Sequence, residues 1–166
     1  MPRFEDKIDV DVPVRTAYDQ WTQFESFPQF MEGVESVVQQ DDRTLRWSAV
    51  IAGKRKTWTA QITDQTPDTR VAWKSIEGAE NDGAVLFEPQ GDRRTRITLK
   101  IDADPDGLTE TVGANLGFLQ ARVKGDLERF KKFIESRGAE TGAWRGEIHG
   151  NDVSSGDVKT EASTRA

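Results

Sequence analysis

From Val34 to Asp104 the apolar residues recur at every second position, and strong turn signals divide that stretch into hairpins. A period of two belongs to β-strands, whose successive side chains point to opposite faces. The turns lie around Ala52-Gly53-Lys54-Arg55, Thr66-Pro67-Asp68-Thr69 and Gln90-Gly91-Asp92-Arg93. Folding the chain at the first turn sets Trp47 against Ala60, Ala49 against Trp58 and Leu45 against Ile62. The second turn pairs Ile62 with Trp73, and the third pairs Phe87 with Ile97 and Val85 with Leu99. The opposite parity reads Arg46, Ser48, Thr57, Thr59, Gln61, Lys74, Glu88, Arg96, Thr98 and Lys100, a solvent face. A slip of one residue would exchange the two faces, so turns and pattern must agree. They describe an antiparallel sheet covered on one side, with Trp47, Trp58 and Trp73 facing the cover.

The cover has to be helical, which makes the fold class α+β. Phe4, Ile8 and Val10 form one more half-buried strand, interrupted on its apolar side by Asp6. Pro13 opens a first helix, where its missing N–H does no harm; Val14, Ala17, Tyr18, Trp21 and Phe24 follow helical spacing. A second short helix is expected from Ser26 as N-cap, carrying Phe27, Phe30 and Met31 and ending at Gly33. A long helix is expected from Leu108 to Arg137. Its stripe of Val112, Leu116, Leu119, Val123, Leu127, Phe130 and Ile134 is continuous, and Gly138 is a natural C-cap. The domain is therefore placed at 1–138. Residues 139–166 read as a polar tail, disordered from about Gly150, with only Trp144, Ile148 and Val153 as large apolar residues.

Composition removes several function classes. The 166 residues contain no cysteine and a single histidine, His149. That rules out thiolate zinc sites and multi-histidine metal centres, and leaves little room for a Ser-His-Asp triad. No metal and no cofactor is expected. The net charge of −6 disfavours nucleic acid. No stretch approaches the roughly 20 apolar residues of a membrane span, and no secretory leader is visible, so a cytoplasmic location is expected.

Several segments carry a likeness to known proteins. They are Phe24-Glu25-Ser26-Phe27-Pro28-Gln29-Phe30-Met31 with the following Val34-Glu35-Ser36-Val37, the Trp47…Trp58…Trp73 meander, the Gly78…Asn81…Gly83 turn, and Asp126-Leu127-Glu128-Arg129-Phe130-Lys131. Over about residues 3 to 137 the chain resembles the START-like (SRPBCC) superfamily, in its polyketide cyclase/dehydrase and coenzyme-Q-binding START branch. The resemblance implies a helix-grip fold: a curved antiparallel sheet around a long C-terminal helix, with two short N-terminal helices. It implies an internal pocket for a lipid, quinone or polyketide-like molecule. It does not settle the role, since the superfamily holds carriers, aromatase/cyclases and receptors, and none of its catalytic residues has a spacing that transfers here.

The residues facing the cover supply a candidate pocket wall: Trp47, Trp58, Trp73 and Phe87 from the sheet, Leu116, Leu119 and Val123 from the long helix, and Phe27 and Phe30 from the second helix. Such residues also fill ordinary cores. What favours a pocket is a wide apolar face against a single helical stripe, since a helix about 10 Å across cannot cover six strands spaced about 4.8 Å. Asn115, Arg122 and Tyr18 are the polar candidates. Arg122 either holds a ligand oxygen or pairs with Asp126 one turn on. No catalytic residue is assigned. The expected function is binding of a hydrophobic small molecule, as carrier or sensor. The alternatives are an aromatase/cyclase or dehydrase acting on a polyketide, and a protein-interaction module with a packed core.

Overall fold

The computed structural model describes residues 3–51, 53–78, 81–103 and 116–154. Its elements in chain order are β1 (Arg3–Val10), α1 (Val14–Trp21), a 3-10 helix (Phe24–Gln29), β2 (Val34–Gln39), β3 (Thr44–Ile51), β4 (Lys54–Thr66), β5 (Arg70–Gly78), β6 (Asn81–Pro89), β7 (Thr95–Ala103), α2 (Leu116–Arg137), β8 (Glu147–His149) and β9 (Asp152–Ser154). One antiparallel sheet runs in the order β1-β7-β6-β5-β4-β3-β2, with β8 added beside β4 and β9 beside β8. The architecture is α+β, with a large antiparallel sheet and few helices. Among the described residues no helix is long and apolar enough to cross a membrane.

Two hairpins have the expected register. Ile62 faces Trp73, Phe87 faces Ile97, and Val85 faces Leu99. The first hairpin differs: Trp47 faces Trp58, Leu45 faces Ala60 and Ala49 faces Lys56. The chain reverses more tightly than the expected four-residue loop, because Ile51 already pairs with Lys54 and Gly53 takes a φ of +81° that glycine adopts without penalty. The shift is two residues, so every side chain keeps its face. It also sets the two indoles side by side, stacked at 5.4 Å with only 10° between their planes. The long strand β4 carries two register irregularities, after Thr59 and after Ile62. Bulges of this kind bend a strand and raise its local twist.

The N-terminal helices depart from expectation in one respect. α1 follows Pro13 as anticipated, but the second helix is a 3-10 segment that begins at Phe24 and contains Ser26 and Pro28 in its interior. Ser26 therefore caps nothing. Of the long helix, Leu116–Arg137 is described, and the anticipated residues 108–115 lie outside the described residues. Val123, Leu127, Phe130 and Ile134 from its apolar stripe are buried in the core.

Past Gly138 the described chain continues against the sheet and α1. Residues 139–154 form a strap against α1 and β4. Ile148 is fully buried opposite Gln65, Trp144 packs on the core, and β9 extends the ordered chain past Gly150. The expected disordered segment beyond Ser154 lies outside the described residues. Polar residues of α1 hold the strap. Gln20 exchanges two hydrogen bonds with Thr141, at 3.1 and 2.8 Å, and the Trp144 N–H donates to Thr22 Oγ1 at 3.1 Å. Arg145 pairs with the fully buried carboxylate of Asp19 and reaches Asp68 at 2.9 Å. A stretch that is mostly polar in composition is thus anchored by two apolar side chains and by polar residues of α1 that the strap itself removes from water.

Candidate functional site

A cavity of about 120 Å³ lies between the sheet and α2. Trp47, Trp58 and Trp73 line it from β3, β4 and β5, with Phe27 from the 3-10 helix and Val123 from α2. Three observations explain why the wall keeps its shape. Trp47 and Trp58 brace each other as a stacked cross-strand pair. Phe27 lies 5.6 Å from Trp47 and 5.7 Å from Trp21, which also reaches the cavity. The Trp73 ring lies over Gly83, its cross-strand partner, where a Cβ would sit 2.7 Å from Cζ2 of the indole and 2.5 Å from the Lys100 carbonyl oxygen. Any larger residue at 83 would push the ring off its seat.

The remaining candidates lie elsewhere. Phe30 and Phe87 are buried in the aromatic core beside the cavity and do not line it: Phe30 packs on Phe130 at 5.1 Å, and Phe87 on Tyr18 at 5.4 Å. Tyr18 is fully buried beneath the Arg145 guanidinium, 5.6 Å from its ring centre, and burial pushes its phenol pKa well up. Tyr18 and Arg122 therefore occupy different surroundings and do not form a proton-transfer pair. The side chains of Leu116 and Leu119, and the whole of Asn115, lie outside the described residues.

Arg122 does reach the cavity, together with Glu32, Asp126 and Asn81, three polar residues not anticipated as site residues. Its Nη1 donates to the backbone carbonyl of Glu32 at 2.9 Å, and its charge also acts on Asp126. The Glu32 N–H donates in turn to Asp126 Oδ1 at 3.1 Å, and Arg129 Nε donates to the Phe30 carbonyl at 2.9 Å while its other arm grips Asp126. Residues 122, 126 and 129 lie on one edge of α2 at helical spacing, and together they clasp the 30–33 loop that forms the cavity rim. Their spacing was visible in the sequence; the loop they hold was not.

Asp126 lies deep enough that burial raises its pKa to about 6, although Arg129, the Glu32 N–H and Arg122 all favour the charged form. A folded pKa above that of the unfolded chain makes ionisation a cost to folding. The contribution of Asp126 to stability is largest below the ordinary aspartate range, declines as pH rises, and levels off above about 6. Wild type is therefore expected to lose on the order of 2 kcal/mol between pH 4 and pH 7 relative to Asp126→Asn. Urea unfolding of both proteins at the two pH values measures this, and a difference that stays flat refutes it.

The family model for polyketide cyclase/dehydrase and lipid transport proteins matches residues 10–132. The chain belongs to this family. A protein of Streptomyces lincolnensis, of 17.2 kDa and uncharacterized, is 52% identical over 149 residues, which are 89% of this chain and 99% of that protein. Among solved structures, a protein of Deinococcus radiodurans is 27% identical, with a TM-score of 0.64 over 82% of this chain and 99% of its own. The Zhui aromatase/cyclase from Streptomyces sp. R1128 has the same fold at 16% identity, with a TM-score of 0.67 over 86% of this chain and 98% of its own. The fold of the family member described here is thus START-like.

Proposed function

We propose that this polyketide cyclase/dehydrase and lipid transport family member binds a hydrophobic small molecule in the cavity between its sheet and α2, as a carrier or sensor, with α2 gripped by the curved sheet. The observation that carries the reading is the cavity itself: about 120 Å³, walled by three tryptophans that are braced in place and do not collapse inward. Apolar cavities of about 150 Å³ stay dry and admit a benzene-sized guest, so this one seats a ring or a short alkyl segment, and a longer lipid, quinone or polyketide would lodge one end there. Phe27, Trp47, Trp58, Trp73, Val123 and Arg122 are the residues that would touch it; Leu116, Leu119 and Asn115 remain candidates from the sequence.

An aromatase/cyclase or dehydrase role is the second reading. It is favoured by one specific observation, a carboxyl with a pKa of about 6 beside the cavity, able to exchange a proton near neutral pH. Against it, Asp126 Oδ1 already accepts from the Glu32 N–H and from Arg129, and Arg122 and Arg129 both donate to backbone carbonyls of the rim loop, which is a structural task.

Titration of the protein with ethylbenzene, followed by the indole N–H signals of its NMR spectrum, is expected to show saturable shifts at Trp47, Trp58 and Trp73. Val123→Trp should abolish them while the remaining spectrum stays dispersed. Absence of saturable shifts in the wild type sinks the binding reading.

A further inference from the structure

Asn81, the first residue of β6, stands at the end of the aromatic wall and lines the cavity. Trp73 Nε1 donates to its Oδ1 at 3.1 Å. An indole N–H can only donate, so the amide of Asn81 has no choice of orientation: its oxygen must face Trp73 and its NH₂ must face away. The Asn81 backbone N–H is bound separately, to Ser75 Oγ at 3.1 Å, and pins the residue's main chain. Trp73 is itself held by its seat over Gly83. The result is a fixed NH₂ group on a cavity-lining residue, with no hydrogen-bond acceptor among the described residues.

The charged groups at the cavity are all committed. Arg122 is bound to the Glu32 carbonyl, Asp126 to the Glu32 N–H and Arg129, and the Glu32 carboxylate lies 3.6 Å from Arg129. Two cations and two anions balance at this rim, so an ionic ligand would find no unmatched countercharge and would lose its hydration on entering. A neutral oxygen acceptor meets neither obstacle.

Resting on the binding role proposed above, we propose that the Asn81 side-chain amide is the hydrogen-bond donor by which the cavity selects an uncharged ligand bearing a carbonyl or comparable acceptor oxygen. Discrimination would come from the donor being left unpaired by a ligand that lacks the acceptor, the asymmetry that lets polar groups in apolar sites reject near-isosteres.

Acetophenone, ethylbenzene and benzoate are close in size and differ in the group presented, which makes them suitable probes. Dissociation constants from NMR titration of the wild type are expected to be about tenfold lower for acetophenone than for ethylbenzene or benzoate. Asn81→Asp keeps an oxygen for Trp73 Nε1 but replaces the NH₂ by a second oxygen. It should bring the acetophenone affinity to within about twofold of that for ethylbenzene measured on the same variant. Asn81→Ala serves the same comparison should the added charge unfold the domain. The inference fails if either folded variant keeps the acetophenone preference, if wild type binds benzoate as tightly as acetophenone, or if it binds acetophenone no better than ethylbenzene. In those cases ligand binding itself stands. If no probe binds, both the inference and the binding role fall.

Discussion

Replacing Arg145 with alanine is expected to destabilise the protein by about 3–5 kcal/mol, the range for stranding one member of a buried ion pair. The Asp19 carboxylate is 1% exposed and Arg145 is its principal partner; Arg15 reaches it only at 3.6 Å from a largely exposed position. Burial already raises the Asp19 pKa, and Arg145 is the main force opposing that rise. Removing the guanidinium also frees the Asp68 carboxylate, held at a φ of +62° in the β4–β5 turn, and uncovers the Tyr18 ring. The loss should therefore spread to the strap and to the turn it spans. The double variant Asp19→Leu/Arg145→Met removes both charges and should recover most of the stability, since apolar pairs of similar volume replace buried ion pairs at little cost. Urea unfolding of the two proteins decides the matter. A single variant that loses under about 1 kcal/mol would mean that the strap contributes little to the fold.

Trp21→Ala should cost a comparable amount, about 3–5 kcal/mol, for a different reason. Trp21 is 2% exposed and meets four aromatic rings: Phe130 at 4.7 Å, Phe27 at 5.7 Å, Phe30 at 5.9 Å and Phe87 at 6.3 Å. It joins α1, the 3-10 helix, β6 and α2. The void left by the indole would open onto the existing cavity, so neighbours braced by their own contacts cannot close it, and the cavity term is retained in full. Trp21→Phe should recover roughly half of the loss. Thermal unfolding monitored by circular dichroism, with denaturant titration for the free energy, tests both variants; an alanine variant within about 1 kcal/mol of wild type would show that this cluster repacks.

The sheet could be read almost completely from residue order, because period-two alternation is preserved whichever turn closes a hairpin. That is why the β3–β4 register could be off by two residues while Trp47, Trp58 and Trp73 still lined one cavity. The tight turn at Gly53 was the missing information, and short glycine turns and longer loops read alike in a stretch such as Ala52-Gly53-Lys54-Arg55. The strap escaped because its burial depends on Asp19, Gln20 and Thr22, polar residues on a helix whose apolar stripe gives no hint that its other side is covered. At the site, the aromatic wall follows from parity, but the polar edge does not. Asp126 and Arg122 show helical spacing only; that they grip the backbone of Glu32 depends on where the 30–33 loop passes. Asn81 sat in plain view within a turn motif, and only its bond to Trp73 gives its amide a direction.

The two strands at opposite ends of the pairing path have different histories. β2 finds β3 a few residues later, whereas β1 must wait for β7, and the Arg3–Asp102 pair closes across 99 residues. During synthesis at roughly 5–20 residues per second, β1 would be made some 5–20 seconds before its partner. Through that interval an amphipathic strand carrying Phe4, Ile8 and Val10 has no ladder to join. The charged residues that alternate with them, Arg3, Glu5, Lys7 and Asp9, are of the kind that discourages an unpaired strand from pairing edge to edge with another chain.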